Sequence, residues 1–238
     1  MNFIFLDFDG VLFNTLKEAY VLCRYAYNGT DYFDAINKTE YEAFYRYKFL
    51  VYNSWQYYYI MKLLSKGSLT DNDFTSEYKE YLKNRDLTAE RDFDEKYYSA
   101  RTELMRDYSD FWNKLETPFK FFYEIEKTNY TPIIVSKKNK TAIEYRLKQN
   151  SSKIHSKNIY GKDELTGYRT KAEFINNYII ENNLSSAYFI DDNSNNLRPC
   201  KQYPKITPLL AGWGNIAIGE VGKSCDEIIS IIQNNILK

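Results

Sequence analysis

The sequence contains little of what a secreted or membrane-spanning protein uses. Its three cysteines, Cys23, Cys200 and Cys225, are odd in number, far apart and without metal-ligand spacing, which predicts reduced thiols in a cytoplasmic protein. No run approaches the ~18 apolar residues that a membrane helix needs. The apolar start of the chain reaches Asp7 too soon for a signal peptide. We therefore expect neither secretion, nor a disulfide scaffold, nor a membrane partner.

The chain also lacks an excess of charge of either sign. Lysine plus arginine total 32 among the 238 residues, and aspartate plus glutamate also total 32, so the formal net charge is zero. This balance disfavours a nucleic-acid partner held by overall charge, although it leaves a local basic patch open. Hydrophobic residues make up 44% and charged residues 27%, which is typical of a folded domain and not of a disordered chain.

Aromatic residues are the one class in excess: 24 Tyr, 15 Phe and 3 Trp make up 18% of the chain. Two interpretations are open. The rings either fill an ordinary core or form a stacking surface for nucleotides or single strands. Because many of them recur at helical spacing, the sequence favours the core.

Three apolar runs predict strands that are buried on both faces of a parallel sheet. They cover residues 2–6, 132–135 and 187–190, and weaker candidates cover 157–160 and 206–210. Stripes of apolar residues at helical spacing lie between these runs. The alternation of strand and helix predicts an α/β domain with a doubly wound parallel sheet.

Residues 15–115 predict a helical insertion instead. Five stretches repeat apolar residues at helical spacing, and they start near Leu16, Tyr41, Trp55, Phe74 and Phe93. A capping box in residues 39–42 is expected at the start of the second stretch. No strand pattern interrupts them. We therefore expect a discontinuous α/β core over 1–14 and 116–238, with an all-α domain over 15–115 inserted into it.

The predicted strands end in polar side chains. Asp7 and Asp9 follow the first, Ser136 follows the second, and Asp191 and Asp192 follow the third. Ligands of an open parallel sheet bind at the carboxyl ends of its strands. Clustered carboxylates repel one another, and a hard divalent cation is the usual way to hold them together. Oxygen ligands without a histidine partner favour Mg²⁺ over Zn²⁺.

Four segments, in order, resemble the signatures of the haloacid dehalogenase-like (HAD) hydrolase superfamily. The first is residues 3–15, FIFLDFDGVLFNT, and the second is residues 133–136, an apolar strand ending in serine. Lys171 opens a predicted helix before the next acidic pair, as the third signature does, and residues 189–196, FIDDNSNN, resemble the fourth. The resemblance implies a Rossmann-like core whose helical insertion is the cap domain of cap-bearing members.

The resemblance also implies roles for individual residues. Asp7 is expected to be the nucleophile and Asp9 the general acid and base. Mg²⁺ is expected to be bound by the Asp7 carboxylate, the backbone carbonyl of Asp9 and Asp191. Ser136 and Lys171 are expected to bind oxygens of the substrate's phosphoryl group.

Two of these assignments have alternatives. Ser136 precedes a predicted helix, where serine is also common as an N-cap. Lys162 and Arg169 compete with Lys171 as the cation that binds phosphate.

The fourth signature departs from the family pattern. Asn195 stands where a further acidic residue is usual, and Ile190 stands where glycine is usual. We expect Asp192 and Asn195 to orient the groups around the metal without binding it directly. The departures predict a weaker metal site with its nucleophile and its general acid intact.

Asp9 favours phosphoryl transfer, because family members that displace halide lack this second carboxylate. We expect a Mg²⁺-dependent phosphatase that hydrolyses a small-molecule phosphomonoester, such as a nucleotide or sugar phosphate, through an aspartyl-phosphate intermediate. A helical cap favours small esters, since it closes over them. The alternatives are a phosphomutase with the same residues, a non-catalytic HAD-like binding module, and a phosphatase of nucleic-acid ends. The sequence gives no oligomeric state.

Overall fold

The computed structural model describes residues 2–67 and 69–234 and divides the chain into two compact units. The first unit combines residues 2–14 with 117–234, and the second is the continuous segment 15–116. None of the helices in the described part of the chain combines the length and the apolar character that crossing a bilayer requires.

The described residues of the first unit contain seven strands. These are β1 (Asn2–Leu6), β2 (Phe13–Asn14), β3 (Thr117–Pro118), β4 (Tyr130–Val135), β5 (Ile159–Tyr160), β6 (Ala187–Asp191) and β7 (Ile206–Leu210). Five of them form one parallel sheet in the order β5-β4-β1-β6-β7. β2 and β3 form a separate antiparallel pair. The parallel sheet predicted from the apolar runs is confirmed.

Helices cover both faces of this sheet. Those of the first unit are α7 (Lys120–Ile125), α8 (Lys140–Gln149), α9 (Lys171–Glu181), α10 (Ser194–Leu197) and α11 (Cys225–Asn234), numbered after the six of the second unit. Successive side chains of β1 alternate between the faces, so Ile4 and Leu6 join α7, α8 and α11 in one core, whereas Phe5 joins α9 and α10 in the other. The prediction of a doubly wound sheet is therefore confirmed.

The second unit consists of helices. They are α1 (Leu16–Asn28), α2 (Lys38–Tyr47), α3 (Tyr57–Leu64), α4 (Asp71–Lys83), α5 (Leu87–Asp107) and α6 (Ser109–Leu115). The sixth was not predicted as a separate helix, because the chain bends at Tyr108 and the apolar pattern continues across the bend. The aromatic residues form much of this unit's core: Tyr20, Tyr59, Phe44 and Phe93 are all at most 1% exposed.

The capping box predicted in residues 39–42 is wrong. Helix α2 begins two residues earlier, and its N-cap is Asn37, whose side chain accepts a hydrogen bond from the backbone N–H of Glu40. Asparagine is at least as good an N-cap as threonine, so the earlier start satisfies a helix-end N–H just as well.

A buried ion pair holds together distant parts of the second unit. The Arg101 guanidinium donates to both oxygens of Glu18, at 2.7 and 3.1 Å, and also to the Tyr97 hydroxyl at 3.0 Å. Trp112 Nε1 donates to the same carboxylate at 3.1 Å. Glu18 is 1% exposed and Arg101 is 6% exposed, so each charge depends on its partners for what water would otherwise supply.

We predict that Arg101→Met destabilises the protein by about 3–5 kcal/mol, because it leaves the Glu18 carboxylate buried without its counter-ion. Urea unfolding followed by circular dichroism measures the change. The matched control is Arg106→Met, which removes an exposed pair with Asp107 and should change the free energy of unfolding by less than about 1 kcal/mol. Equal effects of the two substitutions would contradict the prediction.

Candidate active site

The carboxyl ends of three neighbouring strands bring the predicted site residues together. Asp7 directly follows β1, and its backbone N–H donates to the carbonyl of Ile190 on β6 at 2.9 Å. Asp191 ends β6. Ser136 directly follows β4, and its N–H donates to the carbonyl of Tyr160 on β5 at 3.0 Å. The side chains of Asp7, Ser136 and Asp191 therefore start from the same edge of the sheet.

Of the three cations that the sequence offered for phosphate binding, Lys171 reaches Asp7 and Asp191. It is the first residue of α9 and is 2% exposed, and its Nζ lies 2.7 Å from Asp7 Oδ2 and 2.9 Å from Asp191 Oδ2. The competing candidates lie elsewhere: Lys162 is half-buried on the loop after β5, and Arg169 is exposed. The structure thus joins Lys171 to the acidic cluster, while its binding of phosphate stays a prediction.

Three buried carboxylates are arranged as metal ligands would be. Asp7, Asp191 and Asp192 each offer an oxygen, and these oxygens all lie within 4.8 Å of one another. The donor set is entirely oxygen, which suits Mg²⁺. In addition, the buried Oδ1 of Asn196 has no hydrogen-bond partner among the described residues, which leaves an acceptor free for a metal-bound water. The residues present therefore fit the predicted ion.

Asp192 is enclosed by two glycines. A Cβ on Gly10 would lie 1.8 Å from Asp192 Oδ2, and one on Gly214 would lie 2.3 Å from Asp192 Cβ, so neither position has room for a side chain. Gly10 also has a φ of +81°, which favours glycine by itself. Asp192 Oδ2 accepts hydrogen bonds from the backbone and the side chain of Asn215, at 2.6 and 3.0 Å. Asp192 thereby packs against two loops beside the cluster and is hydrogen-bonded to the loop of Asn215.

The structure does not bring Asn195 to the cluster. Its side chain is exposed, and the next residue, Asn196, is buried instead. Asn196 Nδ2 donates to both oxygens of Asp191, at 3.0 and 2.9 Å. The physical reason is that α10 starts only at Ser194, so that its inward-facing position falls five residues after Asp191 and not four. Because both positions carry asparagine, the residue type does not indicate which of the two side chains faces the cluster.

Lys138 is a site residue that the sequence analysis missed. It is 2% exposed, and its Nζ lies 3.3 Å from Asp9 Oδ1. Two adjacent lysines follow Ser136, and nothing in the sequence distinguishes the one that turns inward. The only available signal was their position directly after a strand that leads into the site.

Ser136 is not the N-cap of the helix that follows it. Helix α8 begins at Lys140, and Asn139 precedes it as the N-cap residue. Ser136 is 1% exposed, and its Oγ accepts from the backbone N–H of Lys138 at 3.4 Å. The geometry thus removes the competing explanation for this serine.

Burial and mutual repulsion shift the titration of the cluster. Burial raises the pKa of Asp7 to about 6, with Lys171 opposing the shift and Asp191 and Asp9 adding to it. Burial also raises the pKa of Asp191, and Lys171 again opposes the shift. For Lys171, burial disfavours the ammonium, but the two carboxylates outweigh it and hold its pKa above the usual value. The three carboxylates of Asp7, Asp191 and Asp192 therefore carry more negative charge than Lys171 neutralises.

Comparison with known proteins gives structural but not sequence matches. No protein-family model matches the chain, and no curated protein matches it. A predicted phosphatase from Clostridium acetobutylicum superposes with a TM-score of 0.66 at 13% identity, with 98% of each chain covered. A predicted phosphoglycolate phosphatase from Lactobacillus delbrueckii superposes with a TM-score of 0.66 at 12% identity, covering 97% of this chain and 98% of that one.

A third matching structure is described as a member of a named superfamily. A HAD-superfamily hydrolase of subfamily IA from Geobacter sulfurreducens superposes with a TM-score of 0.57 at 14% identity, covering 98% of this chain and 96% of that one. At identities this low, the superpositions show a shared fold and nothing finer. The fold of this chain is accordingly that of the HAD-superfamily hydrolases, as the four sequence segments predicted.

We predict that Asp7→Asn stabilises the metal-free protein near pH 7.5. The pKa of Asp7 is raised from 3.8 to about 6 in the folded state, so its ionisation destabilises the fold increasingly as pH rises through that window. The variant should gain about 1–3 kcal/mol near pH 7.5 and almost nothing near pH 3, below the unfolded pKa, at about 1.36 kcal/mol for each unit of pKa shift. Urea unfolding in EDTA at several pH values measures this. Asp226→Asn, at an exposed pair with Lys120, is the control, and a gain independent of pH would contradict the prediction.

We also predict that Mg²⁺ raises the melting temperature of the wild type and not that of Asp191→Asn. A ligand at one hundred times its Kd stabilises the folded state by about 2.7 kcal/mol. Differential scanning fluorimetry over a MgCl₂ series measures the shift, with Asp226→Asn expected to behave like the wild type. An undiminished shift in Asp191→Asn would place the ion elsewhere.

Proposed function

We propose that this chain, whose fold is that of the HAD-superfamily hydrolases, is a Mg²⁺-dependent phosphatase that hydrolyses a small-molecule phosphomonoester. One observation carries the proposal. The described residues hold Asp7 beside a buried lysine and two further carboxylates, at the strand ends where such a sheet binds its ligands. This arrangement supplies a fixed nucleophile in a site that also suits a divalent cation.

Two contacts hold the Asp7 carboxylate in a fixed position. Its Oδ1 accepts the backbone N–H of Phe8 at 2.7 Å, and its Oδ2 lies 2.7 Å from Lys171 Nζ. In the first step an Asp7 oxygen attacks the phosphorus, and the bond from phosphorus to the ester oxygen breaks. The product of this step is an aspartyl phosphate and the released alcohol.

Asp9 moves the protons in both steps. Its side chain is 29% exposed and so stays accessible to a substrate. It donates a proton to the leaving ester oxygen, and in the second step it accepts a proton from the water that attacks the phosphorus. The bond between Asp7 and phosphorus then breaks, which releases inorganic phosphate and restores the Asp7 carboxylate and the protonated Asp9 carboxyl group.

Cations around Asp7 suit a phosphate dianion. Ser136 and Lys171 are proposed to bind its oxygens, and Lys137 lies half-buried on the same loop as Ser136. Burial lowers the pKa of Lys137, and the nearby charges of Lys171 and Lys162 lower it further. A phosphate bound beside Lys137 would favour its ammonium form and so oppose this shift of the pKa.

Mg²⁺ would be held by Asp7, Asp191 and the backbone carbonyl of Asp9, with Asp192 beside them, and would screen the nucleophile from the negative phosphate. The substrate is proposed to be a nucleotide or sugar phosphate. A phosphoglycolate-like acid is a further candidate, and one structure of the same fold is described as a predicted phosphoglycolate phosphatase. The three cysteines are unpaired, which supports a cytoplasmic location.

We predict Mg²⁺-dependent release of phosphate from a panel of nucleotides, sugar phosphates, phosphoglycolate and 4-nitrophenyl phosphate. Asp7→Asn should abolish release, because it removes the nucleophile. Asp9→Asn should lower kcat about 10²–10⁴-fold on esters with poor leaving groups, because it removes the proton donor. Asp226→Asn serves as the control and should retain full activity. A malachite-green assay with and without EDTA measures all four proteins.

The same panel distinguishes the alternatives. Sugar phosphates that isomerise without releasing phosphate would indicate a phosphomutase, and release from 5′- or 3′-phosphorylated oligonucleotides alone would indicate a nucleic-acid-end phosphatase. Folded wild-type protein that turns over no ester at any Mg²⁺ concentration would overturn the proposal in favour of a binding role.

A further inference from the structure

A second buried lysine lies beside the proposed general acid. Lys138 has a side chain that is 0% exposed, and its Nζ lies 3.3 Å from Asp9 Oδ1. The Asp9 side chain is more accessible than that of Lys138, since it is 29% exposed. The contact therefore links a charge enclosed by protein to a carboxylate that a substrate can reach.

The backbone around Lys138 is fixed from both sides. Its N–H donates to Ser136 Oγ at 3.4 Å, and its carbonyl accepts the N–H of Lys162 at 3.0 Å. Gly161 packs directly against this loop, since a Cβ there would lie 2.8 Å from the Lys138 carbonyl oxygen and 2.6 Å from the Lys140 nitrogen. The side chain consequently starts from a backbone with little freedom to move.

The side chain itself is also held. Its Nζ lies 5.7 Å from the centre of the Phe8 ring, within the range of a cation–π interaction. Phe8 is fully buried and separates Asp7 from Asp9 in the chain. Lys138 thus touches the segment that carries both proposed reacting groups, from the loop that carries Ser136.

The two buried lysines contact different carboxylates. Lys171 contacts Asp7 and Asp191, whereas Lys138 contacts Asp9. We propose that Lys138 is a positioning residue for Asp9, and that it holds the Asp9 carboxyl group in the orientation from which this group gives its proton to the leaving oxygen. This inference rests on the proposed phosphatase function and adds to it the group that aims the general acid.

The role has a chemical signature. An alkyl ester loses an alkoxide, which leaves only if it is protonated, whereas 4-nitrophenolate leaves readily without a proton. Misplacing Asp9 should therefore slow cleavage of alkyl phosphates much more than cleavage of 4-nitrophenyl phosphate. Because kcat/KM covers only the steps up to formation of the aspartyl phosphate, it isolates the step in which Asp9 acts as the acid.

The test compares kcat/KM of Lys138→Met on 4-nitrophenyl phosphate and on the best alkyl phosphate of the panel. We expect a loss of about 10–100-fold on the alkyl ester, within the contribution of a well-placed general acid, and of less than about threefold on the aryl ester. Lys138→Arg should recover most of the alkyl activity. Both substrates are assayed on one preparation, so any inactive fraction cancels from their ratio.

Two further variants complete the design. Asp9→Asn should show the same dependence on leaving group, and adding Lys138→Met to it should cost little more. Lys148→Met, at an exposed position on α8, should leave both rates unchanged. Equal losses on the two esters would overturn the inference and make Lys138 a phosphate ligand or a purely structural residue. A wild-type protein without activity would instead overturn the proposed function on which it rests.

Discussion

The site depends on one ammonium group placed between two buried carboxylates. Asp7 and Asp191 follow adjacent strands of a parallel sheet, so the fold forces them together where water cannot separate their charges. Lys171 bridges them. Because it is the first residue of α9, the start of that helix, fixed by the Thr170 side chain, determines where the charge lies. The remaining negative charge is what makes a divalent cation fit.

Close packing of the backbone supports this arrangement of charges. The glycines at 10 and 214 let two loops approach Asp192, and Gly161 does the same for the loop of Lys138. Glycine here serves the close approach of chain segments more than flexibility. These approaches bring the charged side chains of Asp192 and Lys138 to the edge of the sheet.

The sequence predicted those parts of the site that follow from strand ends. An apolar run followed by a polar residue located Asp7, Ser136 and Asp191, because a parallel sheet leaves few ways to arrange such runs. It did not identify Asn196, whose inward direction depends on where a four-residue helix begins. Nor did it identify Lys138, because which of two adjacent lysines is buried depends on packing against a loop distant in sequence. Long-range packing therefore sets the limit of such predictions.

The discontinuous core has a consequence for biosynthesis. The strand that precedes Asp7 leaves the ribosome before its two neighbours in the sheet, which are β4, after residue 129, and β6, after residue 186. The helical segment 15–116 is continuous, so its internal contacts are all available much earlier. Translation therefore completes the surroundings of Asp7 late, and a nascent chain that ends before Asp191 lacks the second carboxylate that Lys171 bridges.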